Sequence, residues 1–211
     1  MMNKFIAMLG ANATGKSTRM TEYVHTLGQP DKVLDYHFHK NGEDIVIKCA
    51  GHIYNTTLVV GTPNGKGKWV GGDHTVSKLG STACIKEFFT HLDSIGIENV
   101  VYESYYASSL TLFRPPQLSE FFEESHAYWL LYDTIEQYVE YTEARSGRTW
   151  ADRGKAPTNS SGWKDNVGMH SVVRRTIPQV TGTSSTVQRV PTDVPKTWFI
   201  EEVKKYNLKT N

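Results

Sequence analysis

Cysteine is nearly absent from this chain. Its 211 residues include two, Cys49 and Cys84, which form neither a disulfide framework nor a metal-ligand spacing, so free thiols in a reducing compartment are expected. Long apolar runs are missing too. Nothing approaches the ~18 residues of a membrane span, and the run Phe5 to Leu9 behind a single lysine is too short for the hydrophobic region of a signal peptide. A cytoplasmic protein without a membrane partner is therefore expected. Neither sign of charge is in excess, the formal net charge being +1, so whole-molecule electrostatics names no partner. There is no internal repeat. A hydrophobic content of 38% in a chain of this length suits one packed domain over residues 1–211.

The charge that is present is unevenly placed. Residues 98–143 hold nine acids and one base, Arg114, whereas residues 145–175 hold Arg145, Arg148, Arg153, Lys155, Lys164, Arg174 and Arg175 against Asp152 and Asp165. A basic stretch following an acidic one suits a phosphate-facing segment, although a solvated basic face has the same composition.

One stretch carries chemistry by its spacing. "GANATGKST", residues 10–18, fits G-x-x-x-x-G-K-[ST] and follows the strand-like run Phe5 to Leu9. In such a loop the backbone N–H groups from Gly10 through Ala11, Asn12, Ala13, Thr14 and Gly15 to Thr18 wrap the β-phosphate of a nucleotide. Lys16 reaches the β- and γ-phosphates, and the Ser17 hydroxyl ligates Mg²⁺. ATP with Mg²⁺ is the expected ligand.

The rest of the chain predicts a framework around that loop. A strand over Lys4 to Leu9 leads through it to a helix over Thr18 to Leu27, which stops near Gly28-Gln29-Pro30. Runs at Val33 to Phe38, Asp44 to Cys49 and Thr56 to Val60, separated by "KNGED" and "AGHIYN", predict a β-hairpin-rich insertion over residues 33–70. A turn-rich stretch, 61–74, precedes a helix over Ser81 to Leu92. A strand over Asn99 to Tyr102, a helix over Gln117 to Ser125, a buried strand over Ala127 to Tyr132 and a helix over Thr134 to Arg145 follow. Residues 145–165 are polar and rich in Gly, Pro and Ser, suiting a lid-like loop. A helix over Lys164 to Ile177, an extended piece over Thr186 to Val190 and a last helix after Pro195 complete the chain. Alternating strands and helices predict an α/β fold with a mostly parallel sheet, helices on both faces and ligands at the carboxyl ends of the strands.

Strand ends are therefore where candidate residues are sought. Glu103 closes Val100-Val101-Tyr102, the position of an acid that holds Mg²⁺ directly or through water, though a surface acid ending a strand looks the same. Asp73 follows Gly71-Gly72 and suits a general base for an attacking hydroxyl, or equally a cap for the next turn. Asp35, in "VLDYHFH", is the competing base. Arg145, Arg148 and Arg153 flank a loop whose closure brings guanidinium groups to a transferring phosphoryl. His37 and His39 share a strand face but have no third ligand nearby, so packing is expected of them rather than a metal. No Asn-Lys-x-Asp guanine reader occurs, and basic residues beside the loop favour a kinase over a nucleotide-driven switch or motor.

"FIAMLGANATGKST", "KWVGGD", "VVYESYY" and "YWLLYDTIEQYVEYTEARSGR", in this order over roughly residues 4–178, resemble the small phage-encoded P-loop kinases of the nucleotide and polynucleotide kinase superfamily. Within it the chain is most similar to the 5-hydroxymethyluracil DNA kinases of phages that hypermodify thymine. The resemblance implies a P-loop NTPase fold of the kinase type, a three-layer sandwich, with ATP and Mg²⁺ as donor and metal. It also implies Lys16 on the phosphates, Asp73 as base, Glu103 as metal-side acid, and Arg145 and Arg148 as lid arginines. Two departures stand out: Gly-Gly-Asp lacks an intervening residue, and "ESYY" replaces the commoner Glu-Gly. The implied acceptor is DNA containing a hydroxymethylated pyrimidine, with a mononucleotide as the alternative. A DNA acceptor would place segment 145–175 on phosphates and an aromatic ring, Trp69, Tyr105, Tyr106 or Trp163, against an extruded base.

Overall fold

The structure, a computed structural model, describes residues 1–64, 66–70, 72–105 and 111–210. In chain order it runs β1 (Met2–Gly10), α1 (Lys16–Leu27), β2 (Lys32–Lys40), β3 (Glu43–Tyr54), β4 (Thr57–Val60), β5 (Thr62–Pro63), β6 (Trp69–Val70), α2 (Asp73–Leu79), α3 (Thr82–Ser94) and β7 (Asn99–Ser104). After these come α4 (Pro115–Leu118), β8 (Phe122–Leu131), α5 (Ile135–Ser146), α6 (Ser161–Val180), β9 (Thr186–Pro191) and α7 (Trp198–Lys204).

Seven strands form one sheet in the order β2-β3-β4-β7-β1-β8-β9, and only the β2/β3 and β3/β4 neighbours are antiparallel. The middle of the sheet is apolar on both faces because both are covered. Along β1, Phe5, Ala7 and Leu9 enter one core with Phe88, Phe89, Phe113 and Val173. Ile6 and Met8 enter the other, with Met20, Tyr23, Phe199 and Val203 of α1 and α7. The period of two along the strand thus divides the side chains between two helical layers. The expected α/β architecture, a mostly parallel sheet with helices on both faces, is what the chain forms. No helix among the described residues is long and apolar enough to cross a membrane.

Three local expectations are corrected. "AGHIYN" is not a turn: β3 runs through it to Tyr54, because this half of the strand pairs with β2 on one side and β4 on the other. The hairpin turn comes later, at Asn55, whose φ is 52°. The helix expected over Gln117 to Ser125 is only the four-residue α4, and Phe122 already begins β8. Phe122 packs at 5.1 Å from Phe5 and 5.3 Å from Phe89, ring centroid to centroid, so burial against the sheet's aromatic layer overrides local helix propensity. Finally, α2 lies where only turns were expected, and the main hairpin β2/β3 extends the principal sheet as its edge while β5/β6 stands apart as a separate two-stranded unit.

Candidate functional site

β1 delivers the loop of residues 10–15 to the carboxyl edge of the sheet, between β7 and β8. Gly10 has φ 132°, and a Cβ there would stand 2.1 Å from the carbonyl oxygen of Leu130, so only glycine permits β8 to come this close. Ala13 and Gly15 also take positive φ, 63° and 80°. The chain is thereby bent round, and its amides border a cleft of about 350 Å³ lined by residues 12–18 and by Lys68, Asp73, Glu103, Tyr105, Tyr141 and Arg145. Lys16, 6% exposed, folds over the loop and donates to the carbonyls of Gly10 (3.0 Å) and Ala11 (2.7 Å). Behind the loop Arg19 donates to the carbonyls of Thr14 (3.1 Å), Thr192 (3.0 Å) and Val194, tying the loop to the segment after β9. In front of it the Tyr132 hydroxyl donates to the carbonyl of Asn12 at 3.0 Å.

The carboxylates arrive from two neighbouring elements. Glu103, 4% exposed near the end of β7, accepts a hydrogen bond from the Ser17 hydroxyl at 3.4 Å. Burial pushes its carboxyl up to about 7, with the charge of Asp73 adding to the rise and the Lys16 ammonium and the Ser17 bond opposing it. Burial likewise lowers the Lys16 ammonium, against the pull of Glu103 and Asp73. Asp73 opens α2 and accepts a hydrogen bond from the Ser104 hydroxyl. Its placement depends on Gly72, whose N–H donates to the carbonyl of Glu103 at 2.9 Å and where a Cβ would fall 1.9 Å from the Tyr102 ring. Gly71 lies outside the described residues.

The structure brings Lys16, Ser17, Asp73, Glu103 and Arg145 together in one cleft. Arg148 is exposed, one residue beyond the Gly147 cap of α5, and does not line the cleft. Arg153 is held as a structural piece, its guanidinium 4.4 Å from the Trp150 ring and bonded to the carbonyls of Thr142 and Arg148. Asp35 is elsewhere: it is exposed and accepts from the Cys49 N–H at 2.7 Å, capping the bulge where Cys49 takes φ 54°. As the competing base it is displaced by this duty. His37 and His39 are exposed on β2, with His39 3.0 Å from Asp44, and no cluster of three metal-ligating side chains occurs among the described residues.

The aromatic candidates separate sharply. Trp69 is 1% exposed, packed in the α1/α7 core with its indole N–H on the Val60 carbonyl, so it presents no face to a base. Tyr106 lies outside the described residues. Trp163 is half-buried against Tyr138. Tyr105 lines the cleft and donates its hydroxyl to Asp165 on α6; burial, and after it that bond, pushes the hydroxyl up to about 12. Lys68, Tyr141 and Asp165 were not legible as site residues, since a lone lysine between glycine and tryptophan and single residues on two helices carry no motif. No protein-family model matches the chain and no curated protein matches it, so the cleft must be interpreted from its own geometry.

Proposed function

We propose that this chain is an ATP-dependent kinase, acting in the cytoplasm of a phage-infected cell, that phosphorylates the hydroxymethyl group of 5-hydroxymethyluracil in DNA. The observation that carries the phosphotransferase part is the convergence of a phosphate-shaped loop, its lysine, a hydroxyl–carboxylate pair, a second carboxylate and an arginine on one cleft. The choice of acceptor rests on the resemblance of the four quoted motifs, and the exposed bases Lys164, Arg174 and Arg175 along α6 support a polymeric one.

The donor set fits ATP with Mg²⁺. The amides of residues 12–15 and Lys16 would hold the β- and γ-phosphates, and Ser17 with Glu103, already in contact, would hold the metal. Bound Mg²⁺ supplies charge neutralisation on the phosphate oxygens. Asp73 takes the proton of the acceptor hydroxyl while that oxygen bonds to the γ-phosphorus and the bond from this phosphorus to the bridging oxygen breaks, releasing ADP. Arg145, near the end of α5, offsets charge on the transferring group, and Arg148 lies exposed just beyond that helix. Tyr105, which lines the cleft, would stack on an extruded base in this reading.

The test is labelled ATP offered with DNA containing hydroxymethyluracil, unmodified DNA, or free hydroxymethyl-dUMP. Label in modified DNA, absent with Lys16→Ala and reduced roughly 10²-fold with Asp73→Asn, is the expected outcome. Label only in the free nucleotide would make the chain a nucleoside monophosphate kinase, and label on unmodified DNA ends a polynucleotide end kinase. ATP consumption that no acceptor accelerates would sink the kinase reading.

A further inference from the structure

The cleft holds a third cation that neither its phosphate loop nor its arginine explains. Lys68 lines it beside Asp73, Glu103 and Tyr105. Its ammonium makes no hydrogen bond or ion pair among the described residues and acts on Glu103 only through space, helping to hold that carboxyl down. Unpaired surface lysines are ordinary, but this one stands on an anchored backbone. Its N–H donates to Asn64 Oδ1 (3.1 Å) and its carbonyl accepts from Asn64 N (2.8 Å). The next residue, Trp69, is locked in the core and donates its N–H to the Thr21 hydroxyl at 2.9 Å, and that hydroxyl donates in turn to the carbonyl of Ser17 at 2.6 Å. The hairpin bearing Lys68 is therefore tied to the first turns of α1, which fixes the point from which its side chain reaches the cleft.

The strand order decides which ligand it faces. β1 carries the phosphate loop, and the two flanks of the cleft come from different neighbours. α5, with Arg145, follows β8 on one flank, whereas Lys68 and Asp73 both lie in the segment after β4, beyond β7 on the other. The proton-accepting carboxylate and an ammonium without a partner among the described residues thus share the flank from which an acceptor must approach. That flank is otherwise acidic: Asp73 and Glu103 line it and Asp165 stands behind Tyr105. A phosphate-bearing acceptor brought there meets like charge, and a cleft partly shut off from water screens that repulsion less than bulk solvent does. A cation beside Asp73 offsets that repulsion where it is needed.

We infer that Lys68 binds the phosphate of the acceptor, next to the hydroxyl that Asp73 deprotonates. This deepens the kinase reading and rests on it. The shared chemistry is a phosphate carried by a nucleotide, either a free 5′-monophosphate or a phosphodiester of a DNA strand.

The experiment separates the inference from the reading beneath it. Calorimetric titration with ADP and Mg²⁺ comes first. Wild type and Lys68→Ala should bind ADP equally, while Lys16→Ala should not bind it. If wild type fails to bind ADP, the kinase reading falls, and this inference with it. The ADP-saturated protein is next titrated with thymidine, thymidine 5′-monophosphate and a ten-nucleotide thymidine oligomer. In wild type at least one phosphate-bearing ligand should bind ten-fold or more tightly than thymidine, and the arm that does so identifies the source of the phosphate. Lys68→Ala should erase that difference, Lys68→Glu should reverse it, Lys68→Arg should keep most of it, and none should change thymidine binding. If the wild-type protein binds ADP but shows no preference for phosphate, or Lys68→Ala retains the preference, Lys68 has no such role. A parallel loss of ADP affinity in Lys68→Ala would move it to the donor and overturn the assignment. The side chain is exposed, so the variants should fold.

Discussion

Glu103 shows how a single side chain binds fold to chemistry. Its carboxyl is buried at the edge of the core and sits at about 7 rather than in the ordinary carboxylate range, chiefly because burial penalises its charge. A carboxyl whose folded value is raised favours the folded state while it is protonated. Without Mg²⁺, the wild-type protein should therefore lose stability as pH rises from about 4.5 to about 7, by at most about 3.5 kcal/mol at about 1.4 kcal/mol per pH unit. Above pH 7 the loss is complete. Glu103→Gln removes the titration, so its urea midpoint should stay flat across that window and exceed that of wild type at pH 8. Its phosphotransfer should be lost in the same protein, since the metal-side oxygen has lost its charge. A variant more stable and less active at once is the signature of a residue kept for function. If Glu103→Gln follows the wild-type pH curve, another group is titrating.

Among the elements, α6 does most to hold the site together. Asn166, fully buried on its second turn, reads both backbone groups of Tyr132: its Oδ1 accepts from the Tyr132 N–H (2.9 Å) and its Nδ2 donates to the Tyr132 carbonyl (3.1 Å). The Nε2 of His170, one turn on, lies 2.8 Å from the same carbonyl. Tyr132 in turn bonds to Asn12 in the phosphate loop. Replacing Asn166 with Leu strands a buried N–H and weakens the hold on a carbonyl, which should cost about 2–4 kcal/mol in urea unfolding. The KM for ATP should rise in the same variant as the loop loosens, while Tyr132→Phe should raise that KM with a smaller stability loss. The two readouts together distinguish a brace from mere packing. This brace was not legible in the sequence, because an asparagine in the middle of a helical pattern has no signal until the strand it faces is known. The same holds for Gly72, whose necessity comes from a ring thirty residues away in Tyr102. By contrast the strand–loop–helix around the phosphate loop was legible to within two residues at each boundary, since its constraints are local. The acid ending β7 was legible for the same reason. The α4/β8 boundary and α2 were not, because burial against Phe5 and Phe89 in one case and a close backbone approach to β7 in the other decide them.

At the scale of the whole molecule the near-zero net charge conceals a direction. The cleft holds Asp73 and Glu103 beside Lys16, Lys68 and Arg145, while α6 carries exposed bases beyond its first turns. Its first turns reach the cleft through Asp165 and Tyr105, and Arg174 and Arg175 lie nine and ten residues farther on, exposed. At about 1.5 Å per residue that is roughly 15 Å along the helix, about four nucleotides at ~3.4 Å each. If these arginines meet the backbone of a DNA acceptor whose target base is in the cleft, their effect depends on acceptor length. Charge reversal at both, Arg174→Glu with Arg175→Glu, should weaken use of a ten-nucleotide acceptor by one to two orders of magnitude near 0.1 M salt. It should reduce the slope of log affinity against log salt by about 1.4–1.8, at ~0.7–0.9 per phosphate contact. A mononucleotide and a dinucleotide should be used as well by the variant as by wild type, and ATP turnover without acceptor should not change. Measuring KM for the three acceptors between 50 and 300 mM NaCl checks each of these. Equal losses on the mononucleotide and the decamer would show that α6 acts on the cleft itself and not on a strand leaving it. An unchanged salt slope would remove DNA from this face of the protein.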